Sequence, residues 1–123
     1  LTLVDTSIWV EFFRGSDRVG ALEDLLEADE VLLHPWVLGE LVLGGLGRRQ
    51  ETVVADLESL PATPGVTDEE VLELVRARGL AGRGVGWVDV HLLASALVAG
   101  SRLWTLDSSL ATAASLLGLP PGP

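Results

Sequence analysis

The sequence predicts an α/β protein, a three-layer α/β/α sandwich around a parallel sheet of four or five strands. Three observations lead there. Leu1–Val4, Val31–Leu33 and Arg102–Leu106 are apolar runs of strand length. The segments between them carry apolar residues at helical spacing, and strands alternating with helices imply a parallel sheet covered on both faces. The first and last runs each end in Asp followed by two hydroxyl residues, Asp5-Thr6-Ser7 and Asp107-Ser108-Ser109. At 123 residues, without repeat, linker or low-complexity tract, residues 1–123 are expected to form a single domain.

In chain order, Leu1-Thr2-Leu3-Val4 reads as a buried strand ending at Asp5. Ile8 to Arg14 reads as a helix stopped by Gly15. Ser16-Asp17 can cap a second helix through about Ala28, with Val19, Leu22, Leu25 and Leu26 at helical spacing. Val31–Leu33 is the next strand, and Pro35 sits where a first helical turn tolerates it, opening Trp36 to about Leu43. Gly44, Gly45 and Gly47 end or kink that helix, and another follows from about Arg49 to Leu60. Pro61 to Pro64 is a connection with room for a short strand. Thr67 and Glu70 form a capping box for a helix that Gly79 ends. Gly79, Gly82, Gly84 and Gly86 make a loop, Trp87 to Ala99 a helix closed by Gly100, and Arg102 to Leu106 a strand. Ser108 or Ser109 opens the last helix, to about Leu117. The tail from Gly118 to Pro123 is too proline-rich for a clear edge strand.

Composition excludes much chemistry. There is no Cys, hence no disulfide, thiolate nucleophile or thiolate zinc site. There is no Lys, which removes phosphate-loop, Schiff-base and Ser-Lys mechanisms. Two His cannot make a three-His metal site. Met is absent too, so the start as given is trimmed or non-standard. Asp5 and Glu11 interrupt the first apolar stretch, unlike a signal peptide, and no run is long enough to span a membrane. A cytoplasmic location fits. The formal net charge of −10 opposes nonspecific nucleic-acid binding.

Most of the 18 acidic residues read as solvated surface. Four do not. Asp5 and Asp107 stand at the carboxyl ends of two strands, where ligands gather in open parallel sheets, although each alone also suits a helix N-cap. Glu40 lies in the otherwise uncharged Trp36–Leu43, with a salt bridge to an Arg as its plain alternative. Asp89 has Leu92, Leu93 and Ala96 at helical spacing below it, so it projects from the apolar stripe unless it only complements the helix dipole. Two unit charges 4 Å apart repel by about 4 kcal/mol at an effective dielectric of 20. Four converging carboxylates therefore need a hard cation, and Mg²⁺ or Mn²⁺ suits oxygen donors and activates water for phosphodiester attack.

Val4-Asp5-Thr6-Ser7, the isolated Glu40, Val88-Asp89-Val90-His91-Leu92-Leu93-Ala94-Ser95-Ala96 and Leu103-Trp104-Thr105-Leu106-Asp107 occur in an order and spacing that closely resemble the PIN-domain ribonucleases. The likeness is to the VapC-type toxins of bacterial toxin–antitoxin pairs. It implies a PIN-like sandwich and Mg²⁺- or Mn²⁺-dependent endoribonuclease activity on RNA. It also implies a cognate antitoxin whose basic residues enter the acidic pocket, and commonly a homodimer. Carried over by position, Asp5, Glu40, Asp89 and Asp107 are the catalytic and metal-binding quartet. Asp5 and Asp89 would be the principal ligands, with one of the others orienting the attacking water. Thr6, Ser7 and Thr105 are the flanking hydroxyls. The indistinct last strand and the absence of Lys are departures from the family pattern, so RNA must be gripped by Arg, with Arg14, Arg18 and Arg83 as candidates.

His91 lies about 200° around its helix from Asp89, which favours structure or partner contact over catalysis. His34 reads as a turn residue. Trp9, Trp36, Trp87 and Trp104 read as core, with stacking of a base on Trp87 as the alternative. Three rival readings remain. In a non-catalytic interaction module the acids would merely cap helices. A phosphotransfer domain would need a Lys, and a DNA-directed nuclease would need extra helical segments.

Overall fold

A computed structural model describes residues 1–123. Strand β1 (Thr2–Val4) is central, flanked by β2 (Val31–Leu32) and β3 (Arg102–Trp104), all parallel, in the order β2-β1-β3. Single bridges extend this sheet at both edges, Leu33 with Ala62 and Leu103 with Pro121. Three strands thus stand where four or five were expected. The cause is local, because Pro61, Pro64, Pro120 and Pro121 have no N–H to offer a ladder. Each edge keeps what proline permits: the Pro61 and Pro120 carbonyls accept from Leu33 N–H at 2.9 Å and Leu103 N–H at 3.1 Å.

The helices are α1 (Thr6–Phe13), α2 (Ala21–Glu27), α3 (Pro35–Gly44), α4 (Gln50–Glu58), α5 (Asp68–Arg78), α6 (Trp87–Ala99) and α7 (Ser108–Leu116). One expected helix start is instead a single 3₁₀ turn, Asp17–Val19, while a second 3₁₀ turn, Gly47–Arg49, leads into α4 within a residue of its expected start. Ser16 caps the first of them by accepting from Arg18 N–H, so the α-helix begins only at Ala21. The Thr67–Glu70 capping box forms as read. Gly100 ends α6 at φ 64°, a left-handed conformation that costs any other residue more.

Right-handed crossovers assign the helices to two layers. From β1 through β2 to the bridge at Ala62 the chain moves one way across the sheet, placing α1 to α4 on one face. It then returns past β1 to β3 and outward to Pro121, placing α5 to α7 on the other. The packing agrees: α1 lies on α3 and α3 on α4, whereas α5 lies on α6, and α6 and α7 meet β3. One cluster of 26 buried apolar residues fills the interior, including Leu3, Val4, Ile8, Trp9, Leu92 and Leu93. No helix is long and apolar enough to cross a membrane.

The tryptophans divide, correcting the expectation that all four are core. Trp9 and Trp104 are buried, but Trp36 and Trp87 are 38% and 42% exposed. Both open helices at the carboxyl edge of the sheet, where the layers part. Buried His91 packs against both, with ring centroids 4.1 Å from Trp36 and 4.7 Å from Trp87. Its Nε2 lies 3.1 Å from Asp68 Oδ1 but off the line of a hydrogen bond. His34 is more than a turn residue. It is the N-cap of α3, its Nδ1 accepting from Trp36 N–H at 3.0 Å.

Two outcomes follow from these contacts. Gly122 lies against Trp104 so closely that a Cβ there would overlap the indole's Cβ and Cγ. Arg102 also ties the tail, donating from Nη1 to the Pro121 carbonyl at 3.0 Å. Gly122→Ala should therefore lower unfolding free energy by about 1–3 kcal/mol, read from urea titrations. Burial, and then the neighbouring His91 charge, hold the His34 pKa down from 6.5 to about 4. The folded chain refuses a proton that the unfolded chain accepts, so this contribution is present above pH 6.5 and is lost as pH falls toward about 4. His34→Asn, which keeps a capping acceptor without titrating, should flatten that loss in unfolding measured across the same window.

Candidate active site

The register of β1 with β3 pairs Val4 with Trp104, so the next residues, Asp5 and Thr105, emerge side by side at the carboxyl edge. From there the chain after β1 goes to one helical layer and the chain after β3 to the other. The layers part above this strand pair, leaving the crevice in which open α/β sheets bind ligands. The α3 helix starts directly after β2, and α6 runs back toward the start of β3. Both therefore begin at this same edge, with Asp89 in the first turn of α6 and Glu40 in the second turn of α3.

Asp5 occupies the N-cap position of α1 yet makes no side-chain cap. Its Oδ2 instead accepts from Ser7 Oγ and Thr105 Oγ1, each at 2.7 Å. Those hydroxyl oxygens in turn accept backbone N–H groups at 3.0 Å, Ser7 from Leu106 and Thr105 from Asp107. With their oxygens so engaged, both hydroxyl protons are directed at the carboxylate. Asp5 is buried and fixed by the loops following both strands.

Glu40 does not face the core. It is exposed, and its partner is a hydroxyl rather than an Arg: Thr6 Oγ1 donates to Oε1 at 2.7 Å. Asp107 does cap α7, Oδ1 accepting from Leu110 N–H at 2.9 Å. Asp89 is half-buried, and its Oδ2 accepts from Gly86 N–H at 3.0 Å. Burial pushes the Asp89 carboxyl above its ordinary pKa despite the Gly86 N–H, and the charges of Asp5, Asp107 and Glu40 push it further. All three other acids thus act on Asp89 as near like charges.

Each of the four carboxylates has one oxygen anchored by the protein and the other without a protein donor. No three of the acidic or imidazole groups converge closely enough to form a finished cation cage. In donor chemistry the residues fit a hard divalent ion that retains much of its water, since every donor is oxygen and the charges of the other three acids already act on Asp89.

Of the candidate arginines, none enters this network. Arg14 Nη1 donates to Glu11 Oε1 at 3.2 Å, Arg18 engages only through its backbone, and Arg83 Nε donates to the Gly79 carbonyl at 2.7 Å. A groove of about 740 Å³ starts at Glu40 and runs between α1, α3 and α4. Trp9, Phe12, Leu41, Val53 and Leu57 contribute its apolar walls, and Arg14 and Arg49 also line it. Sequence reasoning did not single out Arg49 or Gly86. Gly86 stands three residues before Asp89, the spacing of a capping box, and that signal was there to find. Nothing in the sequence marks Arg49, which meets the groove only because α3 and α4 fold together.

Residues 2–116 match the PIN domain family. The chain is 48% identical over 121 residues to "Ribonuclease VapC32" of Mycobacterium tuberculosis, covering 97% of this chain and 94% of that protein. The same holds for the protein of that name in strains CDC 1551 / Oshkosh and ATCC 25618 / H37Rv. The crystal structure of FitAcB from Neisseria gonorrhoeae shares the fold at a TM-score of 0.70 and 19% identity, covering all of this chain and 97% of that one. By the span of the family match and by its identity to these relatives, the chain belongs to the PIN-domain family.

Proposed function

We propose that this chain is a divalent-cation-dependent endoribonuclease, the toxin of a cytoplasmic toxin–antitoxin pair, with residues 1–123 acting as one catalytic domain. The observation that carries the reading is Asp5. A residue placed to cap α1 gives its carboxylate to a hydroxyl network and leaves Oδ1 free, close enough for its charge to act on Asp89. Capping alone accounts for Asp107 and for half of Asp89, but neither for Asp5 nor for Glu40 inside α3. The rival in which the acids are only caps is weaker for that reason. The 48% identity to a protein named a ribonuclease supports the same reading.

Asp5 and Asp89 would hold Mg²⁺ or Mn²⁺ directly or through water, with Glu40 and Asp107 completing the set. When bound, such an ion supplies charge neutralisation at the phosphate and acidifies bound water. The chain's own contribution is orientation. Ser7 and Thr105 fix Asp5, Thr6 fixes Glu40, and Gly86 N–H turns Asp89 inward. Arg83, pinned through Nε with its terminal amino groups free, is placed to meet phosphate; Arg14 and Arg18 lie on the opposite layer and serve the flanking strand. The apolar groove from Glu40 takes an apolar segment of the antitoxin, whose Arg or Lys reaches the carboxylates and replaces the cation. A homodimer accords with the exposed Leu43, Val98 and Leu116.

Total RNA incubated with the purified chain should be cut with Mg²⁺ or Mn²⁺ and spared with chelator. Asp5→Asn and Asp89→Asn should each lose at least about a hundredfold in rate while keeping the parent circular dichroism, because loss of even an outer-shell partner costs 10–100-fold. Either variant cutting at the parent rate overturns the assignment. Divalent ion should also raise the Tm of the parent but not of Asp5→Asn, a readout independent of activity.

The raised Asp89 pKa has its own signature. The folded chain holds this proton more tightly than the unfolded chain, so the associated stability is present below the ordinary carboxylate pKa and is lost as pH rises through the folded value. At neutral pH in chelator, Asp89→Asn should therefore melt above the parent, since Asn keeps the Gly86 acceptor without the charge.

A further inference from the structure

Beside the acidic crevice, a second hollow of about 260 Å³ opens between α5 and α6. Leu72, Val75, Leu80, Val85 and Val90 supply apolar walls, and Trp87 forms part of its lip. Trp87 is 42% exposed, so one part of the ring is open to solvent at the mouth of the hollow. The ring is not loose, because buried His91 packs against it edge to face at 80°.

One hydrogen bond joins this hollow to the carboxylates, and two placements bring it near them. Gly86 lines it and donates its N–H to Asp89, so its wall is one hydrogen bond from the site. Trp87 stands two residues before Asp89, about 200° around the first turn of α6, so ring and carboxylate flank the helix N-terminus from opposite sides. The loop above it, with Gly82 and Gly84 at φ 74° and 78°, reaches the start of α7. There a Cβ on Gly84 would meet Ser109 Oγ at 3.1 Å, two residues past Asp107. Loop, hollow and acids are one continuous surface. Arg83 lies in that loop between the two glycines, with Nε spent on Gly79 and its terminal amino groups free.

We propose that this hollow is a nucleotide subsite, taking one unpaired RNA base stacked on the Trp87 indole, adjacent to the phosphodiester presented to Asp89. The inference rests on the ribonuclease reading and adds to it how substrate is selected. An apolar slot with one fixed aromatic face, and an arginine in the loop beside it, suits a base and its phosphate. It does not suit a duplex, whose bases are already stacked. Every base offers a π-face, so the subsite demands single-strandedness at that position more than a particular letter. It also answers the net charge of −10, since the base is held by stacking and only one phosphate need meet an arginine.

The test uses the full chain and a fluorescein-labelled single-stranded RNA of mixed sequence. In the cleavage-dead Asp5→Asn background, Trp87→Ala should weaken RNA binding by roughly 5- to 100-fold, and Trp87→Phe by less than about threefold. With the unaltered protein, one abasic nucleotide placed next to the cut should lower kcat/KM by a similar factor, and abasic sites further away should not. That arm needs no variant to fold. Unchanged affinity in folded Trp87→Ala, or indifference to every abasic position, overturns the subsite. A shift of Trp87→Ala to a smaller assembly with RNA affinity intact also overturns it, and assigns the face to a second copy of the chain. Persistent cleavage by Asp5→Asn would instead strike the ribonuclease reading, so the two failures are told apart.

Discussion

Pairing of β1 with β3, followed by departure of their chains to opposite layers, is the constraint from which the site derives. Two adjacent parallel strands end together, and the handedness of the crossovers leaves no helix able to fill the gap above them. Asp5 and Thr105 meet there because the register brings them together. Thr105 then holds both Asp5 and the Asp107 amide, so the sheet's hydrogen bonding continues into the crevice through side chains. Asp89 and Glu40 arrive from the two layers that have just separated.

The same arrangement explains why the four acids are unequal. Asp5 is buried and doubly tethered, Asp89 half-buried with one tether, and Glu40 and Asp107 exposed. This gradient runs from the strand pair outward to solvent. Like charge accumulates most on Asp89, the acid that burial also disfavours. A charge placed against both burial and its neighbours costs stability, and proteins tolerate such groups mainly where they act.

Much of this was legible in the sequence. Short apolar runs gave the three strands, the Thr67–Glu70 box and Gly79 gave α5, and the boundaries of α6 at Trp87 and Ala99 follow from its flanking glycines. The four acids stood out because charge is rare in apolar contexts. Their surroundings did not stand out. Glu40 stood out as a lone charge whose plain partner was an Arg, but α3 is apolar nearly all round, so periodicity could not orient it toward Thr6. The roles of Ser7 and Thr105 depend on a contact spanning roughly a hundred residues, which the register alone supplies. The half exposure of Trp36 and Trp87 arises where two layers diverge, a property of the assembled sheet and not of any local segment. The outer strands fell short because each proline removes an N–H that a longer ladder would use.

Those prolines have a wider effect. A parallel sheet with open sides exposes unpaired amides and carbonyls along its length, a template on which another chain can add in register and begin a fibre. Here one flank ends against Pro61 and the other against Pro120 and Pro121, with Gly122 laid across Trp104. The termini of hydrogen bonding are thus built into the fold, with no helix needed to shield its margins.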